Sequence, residues 1–183
     1  NASSIVCSCS CVIVAGLRTR LIAEAATTAN INLSNLITNQ GVIGNDISGV
    51  SGATARTNAG GAPYGGDKGI VAYGYPDPST NISNKISNLG VVATDTSGVG
   101  TARVAPGAAG YGGDKAIFAY GEYTAHVNLV SNTGVVASDV TGVGTVRYDL
   151  AAAGYGADKA IFGYGYAGSH TSNFSMTNLV SNS

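Results

Sequence analysis

Cys7, Cys9 and Cys11 stand at alternate positions near the start of the chain. Alternate residues of a strand share a face, so three thiols would line one side, a pattern suited to a soft metal or to disulfides with a neighbouring subunit. A disulfide between residues two apart on one strand is strained, and no nearby histidine completes a zinc set. The expectation is small buried strand residues, with inter-subunit thiol pairing as the functional alternative and no metal. The only histidines, His126 and His170, have neither a recurring acid partner nor a serine-nucleophile motif beside them, which leaves a hydrolytic triad unsupported. Glycine-rich stretches imitate a phosphate loop, yet Gly-x-x-x-x-Gly-Lys-Ser/Thr is absent. No catalytic or cofactor-binding residue is assigned, and the chain is read as non-enzymatic.

The charges are more informative by position than by number. The 183 residues carry nine Lys and Arg against ten Asp and Glu, a formal net charge of −1. Twelve of these nineteen fall at four recurring positions. They are Asp46, Asp95 and Asp139; Arg56, Arg103 and Arg147; Asp67, Asp114 and Asp158; and Lys68, Lys115 and Lys159. Catalytic groups need not recur in every copy of a repeat, whereas a contact between neighbouring copies must. These charges are therefore expected to be architectural, pairing within or between repeats. Basic residues are too dispersed for a nucleic-acid surface. The most apolar run, Ile5 to Leu17, falls short of the ~20 residues a membrane helix needs.

The elements that must position these residues come from a tandem array. Gly110-Tyr-Gly-Gly-Asp-Lys-Ala-Ile-Phe-Ala-Tyr-Gly121 has counterparts from Ala62 to Gly74 and from Gly154 to Gly165. A second block, Ser-Asn-x-Gly-Val-Val-Ala-x-Asp, alternates with it, starting near Thr38, Ser87 and Ser131. The period is roughly 44 to 49 residues, in the range of propellers and solenoids. Glycine accounts for 27 residues and tyrosine for ten, with 44% hydrophobic residues. That composition favours short strands and tight turns with a core, not disorder. The Gly-Gly before Asp67 and Asp114 reads as a hairpin turn. The third copy has Gly156-Ala157 there, which suggests that at most one position demands glycine. Alternation would place Ala160, Phe162, Tyr164 and Tyr166 on one face and the smaller Lys159, Ile161, Gly163 and Gly165 set on the other. An aromatic ridge could then press into a glycine-lined sheet beside it. The fold class is all-β: tandem antiparallel sheets of short strands, propeller-like, in three units plus a partial fourth.

Residues 36–183 form the repeat domain, with units of about 36–85, 86–128 and 129–178 and a partial 179–183. Residues 1–35 are an atypical N-terminal segment, a cap or an assembly element for which a short helix and a strand are equally open. The connectors between the Tyr-Gly strands and the next block vary in length, so Tyr75, Tyr123, His126, Tyr166 and His170 are candidate binding-loop residues.

Each unit resembles a kelch-type propeller repeat. Ala152-Ala153-Gly154-Tyr155, the turn at Gly156-Ala157-Asp158 and the strand from Lys159 to Gly165 carry the pattern, with Arg147 where such repeats often have an arginine. Tyr-Gly-Tyr replaces the usual glycine pair, and the downstream tryptophan is missing. The Gly-Tyr-Gly-Gly-Asp-Lys-Ala-Ile-Phe wording, with Val-Gly-Thr-Ala-Arg upstream, is also similar to repeat-bearing virion proteins of tailed bacteriophages. That resemblance implies a tail-fibre or other appendage component, located on a virion or outside the cell. Because propellers close with four to eight blades, the count of units implies obligate association, with other copies of the chain or with other virion subunits. The alternative function is a carbohydrate- or protein-binding module that uses its tyrosines and connectors to engage surface glycans or a protein.

Overall fold

The computed structural model describes residues 11–12, 19–22, 32–38, 40–122, 124–168 and 172–181. They form twelve strands in four antiparallel three-stranded sheets. The first sheet is β1 (Cys11–Val12), β2 (Thr19–Ile22) and β3 (Asn35–Thr38). β4 (Gly60–Tyr64), β5 (Lys68–Ala72) and β6 (Ser83–Ile86) make the second, and β7 (Gly107–Tyr111), β8 (Lys115–Ala119) and β9 (Val127–Val130) the third. The fourth is β10 (Ala151–Tyr155), β11 (Lys159–Gly163) and β12 (Thr177–Val180). No helix occurs among the described residues. Residues of the 1–35 segment thus supply two strands, β1 pairing with β2 and β2 with β3, where Leu21 stands opposite Leu36 and Ile22 opposite Asn35.

Register repeats from sheet to sheet. Tyr64 faces Lys68, Tyr111 faces Lys115 and Tyr155 faces Lys159 across the Gly-Gly-Asp or Gly-Ala-Asp turn. A fourth, outer strand is reduced to bridges: Ser34–Ile47 and Ile37–Ile43, then Ser83–Thr96 and Ile86–Val92, then Val127–Val140 and Val130–Val136. These outer segments come from the next Ser-Asn block. Each sheet therefore straddles a boundary between the units read from sequence.

The core lies between sheets, not within one. Ala62, Ile70 and Tyr73 of the second sheet meet Ala116 and Phe118 of the third, and Ala109, Ile117 and Tyr120 meet Ala160 and Phe162 of the fourth. The strand Lys115–Ala119 is buried on both faces beyond its lysine, because a sheet stacks on either side of it. The ridge-on-glycine packing is present: a Cβ on Gly107 would sit 2.8 Å from the Phe162 ring, so only glycine leaves room there.

Two local expectations are corrected. Both central turn positions are left-handed, at φ 60° and 78° in Gly65-Gly66, and Ala157 is held at φ 67°. An L-residue there costs about 1–2 kcal/mol, against about 0.5–1 kcal/mol for the extra unfolded-state entropy of glycine. Ala157→Gly is therefore expected to stabilise the protein by about 0.5–1 kcal/mol, read as a higher urea midpoint with an unchanged slope. The second correction concerns the shared aromatic face. Ala160 and Phe162 are buried together, but β11 ends at Gly163, and Tyr164 turns to φ 64°. Strand alternation does not carry through that residue, so Tyr164 and Tyr166 do not continue the face.

Candidate functional site

Where one sheet meets the next, a tyrosine in left-handed conformation is clasped by the following unit. Tyr73 and Tyr120 take φ 65° and 62° just after β5 and β8. The Tyr73 ring packs edge-on against Phe118 at 5.4 Å, and the Arg103 guanidinium lies 3.9 Å above its centroid. Its hydroxyl donates to the Val99 carbonyl. One unit later, Tyr120 meets Phe162 at 6.0 Å, Arg147 at 4.1 Å and the Val143 carbonyl at 2.9 Å. Backbone bonds run alongside. Gly74 N–H donates to Arg103 C=O and Gly121 N–H to Arg147 C=O; in the hairpin turns Gly65 N–H donates to Asp114 C=O and Gly112 N–H to Asp158 C=O.

Each arginine is also the hub of a clasp within its own sheet. Arg103 Nη2 donates to Asn128 Oδ1 at 2.7 Å and Nη1 to Thr101 C=O at 3.2 Å. Asn128 Nδ2 donates to Asp139 Oδ1 at 2.9 Å, and Asp139 Oδ2 accepts from the backbone N–H and hydroxyl of Thr101. The second sheet repeats this with Arg56, Asn84, Asp95 and Thr54. In the first sheet Asn35 donates to Asp46, and in the fourth Arg147 donates to Asn178. The clasp ties the segment ahead of the first strand to the third strand and to the reduced outer strand. Burial lowers the Arg56 and Arg103 guanidinium pKa values.

The recurring arginines therefore reach Asp95 and Asp139 through asparagine. Among the described residues the ion pairs are Lys68–Asp67 at 2.9 Å, Lys159–Asp158 at 2.8 Å and His126–Asp139 at 3.4 Å, with no direct Arg–Asp pair. The Lys–Asp pairs sit half-exposed in their own turns, where such pairs contribute little. Asp67 and Asp114 also accept from Asn88 and Asn132. The linking asparagines Asn84, Asn128 and Asn178 were not singled out from sequence. Their signal was recurrence at a fixed distance ahead of the Ser-Asn block, combined with the need of a buried arginine for acceptors.

Burial pushes the Asp95 and Asp139 pKa values up, but the hydrogen bonds from threonine and asparagine outweigh it, and both lie below the usual carboxylate value. A depressed folded pKa stabilises above the unfolded value, near ~3.9, and that stability is lost as pH falls through the folded pKa. The thermal midpoint is accordingly expected to fall as pH drops below about 4. Asp139→Asn should flatten that slope, as differential scanning calorimetry across this range would read.

The loop candidates are dispersed. Tyr75 is 44% exposed after β5, its backbone bridged to Thr57. Tyr166 stacks on Tyr148 at 4.3 Å, and its hydroxyl donates to Asp149, burial and that carboxylate together raising its pKa. His126 precedes β9. These connectors follow the second strand of each sheet, at the end opposite the Gly-Asp-Lys turns, and no shared site joins them. Tyr123, His170, Cys7 and Cys9 lie outside the described residues, and Cys11 is in β1. Among the described residues no three His, Cys, Asp or Glu side chains converge as metal ligands would.

A groove of about 600 Å³ crosses the innermost strands β4, β7 and β10. Gly61, Ala109, Gly110 and Gly154 lie along it, with Tyr64, Tyr111 and Tyr155 and the turn residues Asp114, Lys115 and Lys159 at its end.

No protein-family model matches the sequence, and no curated protein matches it. Among solved structures the chain is similar to the one described as "Structure of YjhT", with a TM-score of 0.62 at 12% identity. The match covers 82% of this chain and 48% of that one, so this chain spans about half the length of the structure it resembles. At that identity the likeness shows the fold alone: an all-β array of antiparallel sheets in tandem, kelch-like and propeller-like.

Proposed function

We propose that this protein is a non-enzymatic structural and assembly protein that self-associates through its repeat units, as part of a virion appendage such as a tail fibre or of an extracellular filament. The observation that carries this reading is the inter-sheet clasp. It is formed twice in succession with the same residues and the same backbone bonds. A contact that propagates from unit to unit is what an assembling array requires. The placement on a virion or outside the cell is supported by the wording of the repeats.

Negative-stain microscopy with light scattering tests this reading. Rings or filaments at micromolar concentration are expected. A stable, compact monomer at every concentration would overturn it.

The groove favours one second reading, a carbohydrate- or protein-binding module. Tyr111 and Tyr155 offer flat apolar faces, and Lys115, Lys159 and Asp114 offer polar contacts. Specific binding on a glycan array, lost in Tyr111→Ala with folding retained, would favour it.

A further inference from the structure

We propose that the groove along β4, β7 and β10 is a binding site for an anionic oligosaccharide, whose carboxylate or sulfate group is held by Lys115. This rests on the second reading, of the groove as a binding site, and names the class of ligand it selects.

The three turn lysines share a repeat position but differ in what answers their charge. Lys68 and Lys159 each pair with the aspartate before them, Asp67 at 2.9 Å and Asp158 at 2.8 Å. Lys85, outside these turns, donates to the Thr133 carbonyl. Lys115 follows Asp114 in the same kind of turn, yet the Asp114 carboxylate accepts from Asn132 at 3.0 Å and makes no pair with it. Among the described residues Lys115 has no hydrogen-bond or ion-pair partner. Its ammonium is left to take up an anion from outside, in a charge-assisted contact of the stronger kind.

The place of that free charge is fixed by the fold. Lys115 lines the groove, whereas its counterpart Lys68 does not. Its hairpin belongs to the third sheet and is held from both sides. Gly65 N–H of the second sheet donates to Asp114 C=O, and Gly112 N–H donates to Asp158 C=O of the fourth. The setting of Lys115 is therefore made by two packed neighbours.

The other groups beside it select a sugar over a simple anion. Tyr111 stands opposite Lys115 across the turn, and opposed residues of paired strands project to the same face. One hairpin thus offers a flat apolar ring, against which the C–H face of a pyranose can lie, next to an ammonium. Asp114 also lines the groove, and its Oδ1, not used by Asn132, is an acceptor for a sugar hydroxyl. Gly61, Ala109 and Gly110 along the floor carry no side chain long enough to hold a ring away from the backbone. The volume of about 600 Å³ is within the range of small-ligand sites.

The test presents the full chain to an array of carboxylate-bearing, sulfated and neutral oligosaccharides. The strongest ligand is then titrated by calorimetry into wild type, Lys115→Met, Lys115→Arg, Tyr111→Ala and the control Lys68→Met, each shown to be folded by its urea midpoint. Binding confined to anionic glycans is expected, with the array telling carboxylate from sulfate. Lys115→Met should weaken it about 10-fold or more, Lys115→Arg should keep most of it, and Lys68→Met should leave it unchanged. Neutral glycans bound as tightly as anionic ones, or an affinity that Lys115→Met does not alter, would overturn the anionic ligand. In that case a loss of binding in Tyr111→Ala leaves the groove itself standing as a binding site. A chain that binds no glycan overturns the anionic ligand and the groove's carbohydrate role together.

Discussion

Arg103→Met is expected to lower the stability of the protein by about 3 kcal/mol or more, seen as a shift of the urea midpoint. The size follows from what the guanidinium holds. Arg103 is 1% exposed and Asn128 fully buried, so neither can turn to water when its partner is lost. Methionine of similar length would fill the volume yet leave Asn128 Oδ1 and Thr101 C=O without their donors. The buried Asn128 Oδ1 left bare costs about 1–3 kcal/mol, while Thr101 is exposed and can turn to water, and the stack on Tyr73 is lost as well. Arg103→Lys should recover little, since an ammonium has neither the planar fork nor the flat face that lies over the ring. A double-mutant cycle with Asn128→Ala should show coupling on the order of 1–3 kcal/mol. Additivity of the two would show that the clasp is not a unit.

The sequence exposed the array because its repeats carry their own turn chemistry. Gly-Gly-Asp or Gly-Ala-Asp between two small or apolar runs can only be read as a hairpin, and Tyr64, Tyr111 and Tyr155 each pair across it. The doubly buried strand was legible from Ala116, Ile117 and Phe118 in succession, where a strand with one solvent face would alternate. The partners of the charges were less legible. Arg103 and Asp139 recur at fixed spacing, which suggests a pair, but the geometry inserts Asn128 between them. A polar amide in a strand of Val-Asn-Leu-Val gives no periodic signal of its own. The first sheet was hidden for a related reason. Thr19–Ile22 lacks the Gly-Asp-Lys turn wording of the later units, so only its pairing with Asn35–Thr38 reveals it as a strand. The difference in exposure between Tyr164 and Tyr120 was not legible, because the same Tyr-Gly pair follows Phe162 one residue on as it follows Phe118, and Gly163 and Tyr166 in place of Ala119 and Glu122 carry no signal of burial.

That difference sets the second large prediction, a series at one repeat position. Tyr73→Ala and Tyr120→Ala should each cost about 3–5 kcal/mol, the usual range for deleting a buried aromatic. Tyr164→Ala, measured at low protein concentration, should stay within about 0.5 kcal/mol of wild type. The three residues share backbone conformation and local sequence, so intrinsic propensity cancels from the comparison. What remains is the neighbour: Phe118 and Arg103 for the first, Phe162 and Arg147 for the second. The phenol itself can be separated from the ring. Tyr73→Phe and Tyr120→Phe remove only the bond to Val99 or Val143, for about 1 kcal/mol each, and Tyr164→Phe should be neutral under the same dilute conditions. A loss at Tyr164 (62% exposed) equal to that at Tyr120 (3% exposed) would mean that burial does not set the cost at this repeat position.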